Sequence, residues 1–440
     1  MNAVKKGEAH VTARARLMLL LGEQLITDEV AAISELVKNA YDADATKVVV
    51  TLFHISDPKT GHIVIRDNGH GMTSDVVLSS WLELGTLSKA RGTDLKPRFS
   101  EKKKRPFLGE KGLGRLAVHK LGHRTELITR RIDADVETRL TIDWTAFEKS
   151  EGFLEEVPVN WEETSPNVFT ESEFLSGTQI TIRELQRAWN KDMIERTERS
   201  LRALKSPFKD LSDFDIIIKI EDDLAPIVRV HDMSEIIDKA TYTFIGEIDE
   251  AGQLDYRYKF QRDDYPALSR EVKGRKDARD PELFSNDRKP ICGPIHLRFY
   301  SWDLSPQDQR AVLGDTQTYK EMIEPNTGIK VFRDGFRVLP YGNPDNDWLG
   351  MDLRRVRQFE ERLSRNQAIG AVEISARTNP RLLDKTDREG LIDNEALRDF
   401  HSLVQNALTQ FEAERYPDRR NLKEVTGRLL DRETDRTRFA

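Results

Sequence analysis

The sequence predicts an α+β protein with more than one domain. At 440 residues the chain is long enough for two or three hydrophobic cores. In its first half, helical patterns fall between strands that follow one another along the chain, which favours a sheet covered by helices on one face. A charged helical pattern at 186–208 then separates this half from a strand-rich second half at 213–375.

The bulk composition indicates a soluble, globular protein. Charged residues make up 33% of the chain and hydrophobic residues 38%, and the net charge of −7 gives no overall basic field for nucleic acid. The single cysteine, Cys292, excludes an internal disulfide, fits a reducing cytosol and is expected to be a small buried residue. The longest early apolar run, 17–21, is far too short to span a bilayer, so we expect a cytoplasmic protein without a membrane anchor.

Capping residues and apolar spacing predict the elements of the first half. Asp28 precedes an amphipathic stretch with one apolar stripe, and Thr73 precedes another, so each is expected to cap a helix. Runs of β-branched residues bounded by turn residues predict strands. The helices are expected at 13–27, 29–41, 74–84 and 113–121, and the strands at 47–53, 61–66, 126–131, 137–143 and 177–182.

Two stretches lack such patterns. Residues 85–108, which include the basic run Lys102–Arg105, are polar and without periodicity, and are predicted to form a mobile surface loop. The charged segment 263–289, with two prolines, is predicted to be an insertion or a flexible loop. Around it, the second half is expected to hold strands at 214–220, 242–248, 295–300, 328–338 and 369–375, and a helix from Glu395 to about Tyr416.

The first motif with chemical content is the pair Glu35 and Asn39. Their spacing of i, i+4 places the carboxylate and the amide on one face of the predicted helix. Glu35 can then act as a general base for the water that attacks a γ-phosphate, and Asn39 can present its amide oxygen to Mg²⁺. The alternative is a pair of solvated polar residues on a helix surface, because this spacing is common by chance.

The second motif follows a predicted strand. Asp67 ends the strand, and Gly69 and Gly71 allow the backbone to approach a base and a sugar without a side-chain clash. The Asp67 carboxylate can accept a hydrogen bond from an adenine amino group, with Met72 as an apolar wall, and Thr178 can share a water with Asp67. The alternatives are a plain Asp-Asn-Gly turn and a glycine that serves sheet packing before Thr178.

The third motif is a glycine-rich turn before a predicted helix, where free N–H groups bind phosphate well. Lys111 and Arg115 add positive charge at the helix N-terminus, which opposes the helix dipole and therefore favours an anionic ligand. The spacing differs from that of a P-loop, and no Rossmann-type strand precedes it. The residues expected to bind nucleotide here are Gly109, Lys111, Gly112, Leu113, Gly114 and Arg115.

With these motifs in order, residues 1–185 resemble the GHKL ATPase superfamily, which comprises DNA gyrase, the Hsp-ninety chaperones, histidine kinases and MutL. The matches are Glu35 and Asn39 to its N box, Asp67–Gly71 to its first glycine box, Gly109–Arg115 to its lid-side glycine box and Gly177-Thr178 to its last box. The resemblance implies a Bergerat-type α/β sandwich that binds ATP with Mg²⁺ under a lid at 85–108.

The second half is similar, more loosely, to the α/β transducer domain of the MORC and MutL branches. Its segment 370–392 resembles the strand and loop that carry a basic γ-phosphate sensor there, which makes Arg388 the first candidate and Lys385 the second. The alternative is that both are solvated loop charges. Members of the superfamily usually dimerise when ATP closes the lid, and residues 1–25 are the candidate segment for that contact.

These observations predict an ATPase whose closure and dimerisation on Mg-ATP drive a conformational switch in a larger machine, with DNA or an effector protein as partner, in DNA handling, protein remodelling or anti-phage defence. The expected domains are an ATP-binding domain at 1–185, a linker helix at 186–212, a transducer-like domain at 213–416 and a charged extension at 417–440. One alternative is a nucleotide-sensing module with negligible hydrolysis. The other is a histidine-kinase-like phosphotransferase, although only His10 precedes the N box.

Overall fold

A computed structural model of the chain describes residues 10–26, 28–83, 99–100, 102–108, 117–206, 213–221, 237–303, 323–343, 345–358, 360–385 and 390–438, together with residues 8, 305, 310, 312–313, 317 and 320. The chain divides into two units. The first comprises Met1–Leu204 and Ser212–Val228, and the second comprises Lys205–Leu211 and Arg229–Ala440. In each unit a mixed sheet is combined with helices, which confirms the predicted α+β class.

Helices are interspersed with single strands or pairs of strands in the described part of the first unit. Its helices are α1 (Leu17–Leu25), α2 (Glu29–Asp42), α3 (Ser74–Val76, followed by a π-helical turn at Val77–Trp81), α4 (Ala117–Leu121), α5 (Trp144–Lys149) and α6 (Lys191–Arg202), with a 3-10 turn at Leu154–Glu156. Its strands are β1 (Lys47–Phe53), β2 (His62–Asp67), β3 (Gly122–Arg130), β4 (Glu137–Asp143), β5 (Asn160–Thr164), β6 (Gly177–Leu185) and β7 (Asp215–Glu221).

The described strands of the first unit form one sheet in the order β5-β4-β3-β6-β2-β1-β7. Neighbouring strands are antiparallel, except that β7 runs parallel to β1 at the edge. Side chains alternate between the two faces of a strand, and Val48 and Val50 of β1 are fully buried on one of them. Because Arg66 of β2 lies opposite Gln179 of β6, the end of β2 meets the start of β6.

Two neighbouring elements differ in their placement from the sequence-based expectation. The strand at 214–220 is predicted to open the second domain, whereas β7 pairs with β1 in the first unit. The predicted linker helix contains α6, which packs in the first unit with Ile194 and Leu201 fully buried. Periodicity identifies a strand or a helix, but the partner of an element depends on residues far away in sequence.

The end of the segment predicted as a lid is packed against the C-terminal turn of α2. Arg105 is only 5% exposed, and its guanidinium donates to the carbonyl oxygens of Tyr41 at 3.2 Å and Ala45 at 2.6 Å. It also pairs with the Asp213 carboxylate at 2.7 Å and lies over the Tyr41 ring. One charge of the basic run therefore has a structural role. Residues 84–98 and 101 lie outside the described residues.

The turn that follows α2 receives the backbone of the same segment. Asp44 accepts hydrogen bonds from the N–H groups of Lys102 at 2.9 Å and Lys103 at 3.3 Å. Burial raises the pKa of the Asp44 carboxyl, but hydrogen bonds from Ser100, Lys102 and Lys103 outweigh it, so the pKa is lowered overall. An ionised Asp44 thus holds residues 102–103 beside α2.

The second unit is also built on a single sheet in its described part. Its strands are β8 (Tyr242–Ile248), β9 (Gln253–Phe260), β10 (Arg270–Asp277), β11 (Ile295–Ser301), β12 (Gly328–Arg333), β13 (Phe336–Val338) and β14 (Ala368–Ile374), and its helices are α7 (Met351–Arg357) and α8 (Glu395–Arg438). Short 3-10 turns lie at Pro266–Leu268, Ser285–Asp287, Glu324–Asn326 and Arg365–Gln367. The strand order is β10-β9-β8-β11-β14-β12-β13, and only β12 and β14 are parallel neighbours.

The core of the second unit lies between this sheet and α8. The Phe411 ring of α8 lies 5.6 Å from the Phe244 ring of β8, and both belong to one buried cluster. The helix continues past Pro417 into the charged extension, where Asp418 is held at 5% exposure by hydrogen bonds from Tyr258 and Arg270. Although α8 has 44 residues, neither it nor any other described helix is apolar enough to cross a membrane.

The strand β10 lies inside the segment predicted to be an insertion or a flexible loop. It is the edge strand of the second sheet, and it pairs with β9 along its whole length. Most of its side chains are charged and exposed, with Val272 packed against the core. A charged edge strand is expected physically, because charge discourages pairing with another chain, but such a strand lacks the apolar alternation that reveals a strand in sequence.

Replacing Arg105 with alanine is expected to destabilise the first unit by about 2–4 kcal/mol, because the Ala45 carbonyl loses the guanidinium donor and Asp213 loses its buried partner, while the Tyr41 carbonyl keeps the Asp44 N–H at 3.1 Å. Arg105→Lys is expected to restore little, since an ammonium cannot reproduce the planar fork of the guanidinium. Chemical unfolding followed by circular dichroism measures the loss. Lys102→Ala, an exposed lysine in the same run, is the control and is expected to change stability by less than about 0.5 kcal/mol. Equal stability of the two alanine variants would contradict the structural role of Arg105.

Candidate functional site

The Asp67 carboxyl lies at the buried end of β2, in the middle of the first sheet. The residue is 8% exposed, and its Oδ1 accepts hydrogen bonds from the N–H groups of Gly69 at 2.8 Å and Thr178 at 3.3 Å. Burial raises the pKa of this carboxyl to about 6, against the hydrogen bonds from Gly69 and Thr178 and the charge of His70. No described residue donates a hydrogen bond to Oδ2, so that oxygen can receive a donor from a ligand.

Two glycines make the close approach of the surrounding backbone feasible. Gly71 has φ +67°, and a Cβ there would come within 1.9 Å of the Arg130 carbonyl oxygen. Gly177 has φ +138°, and a Cβ there would come within 2.0 Å of the Asp67 carbonyl oxygen. Only glycine fits both the positive φ and the space. The segment after β2 is thereby clamped between the ends of β3 and β6.

A hydroxyl that belongs to none of the three motifs, that of Thr129, links β3 to the segment after β2 and to the start of β6. Thr129, near the end of β3, is fully buried, and its Oγ1 accepts from the Met72 N–H at 2.9 Å and donates to the Gly177 carbonyl at 2.8 Å. The same oxygen lies 3.1 Å from Thr178 Oγ1. In sequence Thr129 is one threonine in a β-strand pattern, and nothing distinguishes it from a residue that serves strand propensity alone.

The helix α2 carries the first motif as expected. Its N-terminus is capped by Asp28, whose carboxylate accepts from the Ala31 N–H at 2.8 Å. Glu35 is only 4% exposed and pairs with the Lys38 ammonium at 3.1 Å, while Asn39 is half-buried. Glu35 is therefore a buried carboxylate and not the solvated surface glutamate of the alternative interpretation. Lys38 is a further residue of the site that the motif alone does not indicate.

The C-terminal turn of α2 contacts the second motif directly. The Ala43 carbonyl accepts the His70 N–H at 2.9 Å, and a Cβ on Gly69 would come within 2.6 Å of the same oxygen. Asn68 adds a second link, because its Oδ1 accepts from the N–H groups of Thr46 and Lys47, each at 2.8 Å. The structure thus brings α2, the segment after β2 and the start of β6 together in one unit.

The remaining predicted site residues lie apart from this arrangement. Gly109, Lys111, Gly112, Leu113, Gly114 and Arg115 of the third motif, and the sensor candidate Arg388, lie outside the described residues. Lys385 is described, is exposed and belongs to the second unit, where its N–H donates to the Gly390 carbonyl at 3.0 Å. Among the residues that the structure describes, no group of three or more His, Cys, Asp and Glu side chains is placed to hold a metal ion.

Comparisons with known proteins agree with this arrangement in the first unit. Residues 27–178 match the family described as histidine kinase-, DNA gyrase B-, and HSP90-like ATPase. The chaperone protein HtpG of Mycolicibacterium vanbaalenii is 30% identical over 154 residues, which are 31% of this chain and 23% of that protein. The chain therefore spans about a quarter of that relative's length. These matches support the predicted GHKL superfamily and an ATP-binding module, whereas the family match ends at residue 178 and leaves the transducer resemblance a prediction.

Replacing Asp67 with asparagine is expected to stabilise the protein without nucleotide at pH 7.5, because the buried charge is removed. The pKa of Asp67 is raised from 3.8 to about 6, so the folded protein holds the proton more tightly than the unfolded chain. Stability linked to Asp67 is therefore present below about pH 4 and is lost as the pH rises through about 6, by about 3 kcal/mol in total.

Thermal unfolding of both proteins between pH 4.5 and 7.5 measures this difference. The gain in Tm of Asp67→Asn is expected to be largest at pH 7.5 and to shrink towards pH 4.5. A gain that is independent of pH, or no gain at all, would contradict a buried carboxyl with a raised pKa.

Proposed function

We propose that the first unit binds Mg-ATP and hydrolyses it, and that the cycle of binding and hydrolysis drives a conformational switch in a larger assembly. The observation that carries this proposal is the Asp67 carboxyl, buried at the end of β2 with one oxygen held by backbone N–H groups and the other without a donor from a described residue. A carboxylate in this position accepts a hydrogen bond from an exocyclic amino group. Adenine offers such a donor at C6, where guanine has a carbonyl oxygen.

The residues around Asp67 fit a nucleotide. Gly71 and Gly177 let the segment after β2 and the start of β6 lie directly against the Arg130 and Asp67 carbonyls, which sets the shape of the backbone around the Asp67 carboxyl. Half-buried Met72 follows directly as an apolar wall for the base. The third motif would bind the phosphates through its glycine N–H groups with Lys111 and Arg115, and Asn39 would offer its side-chain oxygen to Mg²⁺. When bound, Mg²⁺ neutralises charge on the phosphates.

Glu35 supplies the proton acceptor for hydrolysis in this proposal. Its burial at 4% exposure keeps the carboxylate in a medium of low polarity, and the Lys38 ammonium at 3.1 Å holds one of its oxygens. Glu35 would orient the attacking water and accept its proton as the water oxygen bonds to the terminal phosphorus and the bond from that phosphorus to the bridging oxygen breaks, with ADP as the leaving group. The Lys38 contact limits the rotation of the Glu35 carboxylate.

The second unit would report on the terminal phosphate through the loop that contains Lys385 and Arg388. The residues that flank this segment are held by two contacts. Asp384 and Leu391 form an antiparallel β-bridge, and the Arg333 guanidinium, 6% exposed, pairs with the Asp384 carboxylate at 2.7 Å. Arg388 is the first candidate for the contact with the phosphate and Lys385 the second.

Replacing Glu35 with glutamine is expected to lower ATP turnover by about 10²–10⁴-fold while leaving ATP affinity within a few-fold, because the amide keeps the shape but cannot accept the proton. A phosphate-release assay and calorimetric titration with ATP measure the two quantities. Glu29→Gln is the matched control, since Glu29 is a buried glutamate of the same helix that pairs with Arg187 at 2.7 Å. Negligible turnover in the unmutated protein, with ATP bound, would instead favour a nucleotide sensor.

The switch itself predicts a change of assembly. Glu35→Gln with Mg-ATP is expected to accumulate as a homodimer, because nucleotide binds and is not removed by hydrolysis. Analytical ultracentrifugation with ATP, with ADP and without nucleotide measures the mass, and duplex DNA added at two salt concentrations tests for a DNA partner. A monomer under all conditions would contradict ATP-driven dimerisation, and absence of DNA binding in every nucleotide state would exclude a DNA clamp.

A further inference from the structure

The hydroxyl of Thr129 has a defined set of partners deep in the first unit. Thr129 is fully buried, so its oxygen has only protein groups around it. It accepts from the Met72 N–H at 2.9 Å, and it faces the Gly177 carbonyl at 2.8 Å and Thr178 Oγ1 at 3.1 Å. A threonine hydroxyl has one proton to donate and two lone pairs to accept with. The carbonyl can only accept, whereas Thr178 can do either.

This balance of donors and acceptors determines the direction of the bond between the two hydroxyls. The Thr129 hydroxyl donates its proton to the Gly177 carbonyl. That carbonyl is nearer than the Thr178 hydroxyl, and since it can only accept, it can bond to Thr129 only in this direction. One lone pair of Thr129 already holds the Met72 N–H. The second lone pair then receives the proton of the Thr178 hydroxyl. Thr178 therefore uses its only donor on Thr129.

The direction of this bond affects what the site offers to a ligand, because Thr178 is partly exposed whereas Thr129 is fully buried. With its proton committed inwards, Thr178 presents only lone pairs outwards. Asp67 accepts the Thr178 N–H through Oδ1 at 3.3 Å, and no described residue donates to its other oxygen, Oδ2, which is also an acceptor. Both side chains thus offer acceptors to a base. An exocyclic amino group on the base can donate hydrogen bonds to these two acceptors. A carbonyl oxygen in the same position would be repelled by them and would find no hydrogen-bond donor there.

We propose that Thr129 is a positioning residue that makes the site select a 6-amino purine over a 6-oxo purine, by orienting the hydroxyl of Thr178. The inference rests on the proposed function, since it concerns the base of the nucleotide bound there. Without the Thr129 hydroxyl, Thr178 regains a free proton and can rotate to donate it to a carbonyl oxygen. A merely structural Thr129 would instead affect every nucleotide alike.

The test is the affinity ratio of ATP to GTP, measured by calorimetric titration or competition with a fluorescent nucleotide, with purine riboside triphosphate as a third ligand that lacks any group at C6. The unmutated protein is expected to prefer ATP over both. In Thr129→Val the ATP-to-GTP ratio is expected to fall by about fivefold to tenfold, the effect of roughly one hydrogen bond. Thr129→Ser, which keeps the hydroxyl, is expected to retain the original ratio.

Two further variants separate orientation from structure. Thr125→Val is the matched control, because Thr125 is an equally buried threonine of the same strand whose hydroxyl accepts from the Trp144 indole at 2.9 Å. In a Thr178→Val background, Thr129→Val is expected to leave the ratio unchanged, since the hydroxyl it orients is gone. If Thr129→Val does not fold, Thr129→Cys, a weak donor and acceptor, replaces it with the same expected direction.

The outcomes distinguish this inference from the function on which it rests. Equal weakening of ATP, GTP and purine riboside triphosphate by Thr129→Val would overturn the orienting role and leave ATP binding intact as a function. So would equal affinity for ATP and GTP in the unmutated protein. Failure of the unmutated protein to bind any adenine nucleotide would overturn the proposed function, and the inference with it.

Discussion

The burial of the Asp67 carboxyl at the end of β2 is the constraint around which the first unit is arranged. No lysine or arginine among the described residues pairs with this carboxyl, so hydrogen bonds from backbone N–H groups offset part of the cost of burying its charge. Those N–H groups can reach Oδ1 only if the chain after β2 turns back closely and the start of β6 lies alongside. Glycine at positions 71 and 177 is the steric consequence, because a Cβ at either would collide with a neighbouring carbonyl. Buried carboxyl groups with shifted pKa values are concentrated at ligand-binding and catalytic sites, because their burial destabilises the fold.

The acidic turn after α2 is a second centre of organisation. Asp44 and Asp42 accept backbone N–H groups of residues 102, 103 and 108, while Arg105 donates to the carbonyls of Tyr41 and Ala45. The polypeptide that leaves the predicted lid is therefore tied to the same helix that carries Glu35. A change in the lid on nucleotide binding would act on α2 through these contacts, which gives the proposed switch a physical route. Of the charges of this segment, that of Arg105 is used inside the first unit.

Local patterns predicted most elements that have a clear apolar period. The helix α2 and the strands β1, β2 and β4 lie close to their predicted bounds, because each combines a cap or a turn with a regular buried face. The sequence does not predict β10, because an exposed edge strand rich in charged residues lacks the alternation of apolar and polar residues that indicates a strand. The continuation of α8 past Pro417 depends on bonds from Tyr258 and Arg270 to Asp418, residues about 150 positions apart, which no local pattern contains.

By itself the sequence determined the chemistry available: a glutamate and an asparagine one helical turn apart, an aspartate at a strand end, and glycines where backbone must come close. Residue type and short-range spacing suffice for these, because a helix and a strand impose fixed geometries on neighbours in the chain. Only the tertiary structure decided that Glu35 is buried, that β7 joins the first sheet and that Thr129 bonds both Met72 and Gly177. Burial and hydrogen-bond direction depend on atoms contributed by distant segments, and they exist only once those segments have packed together.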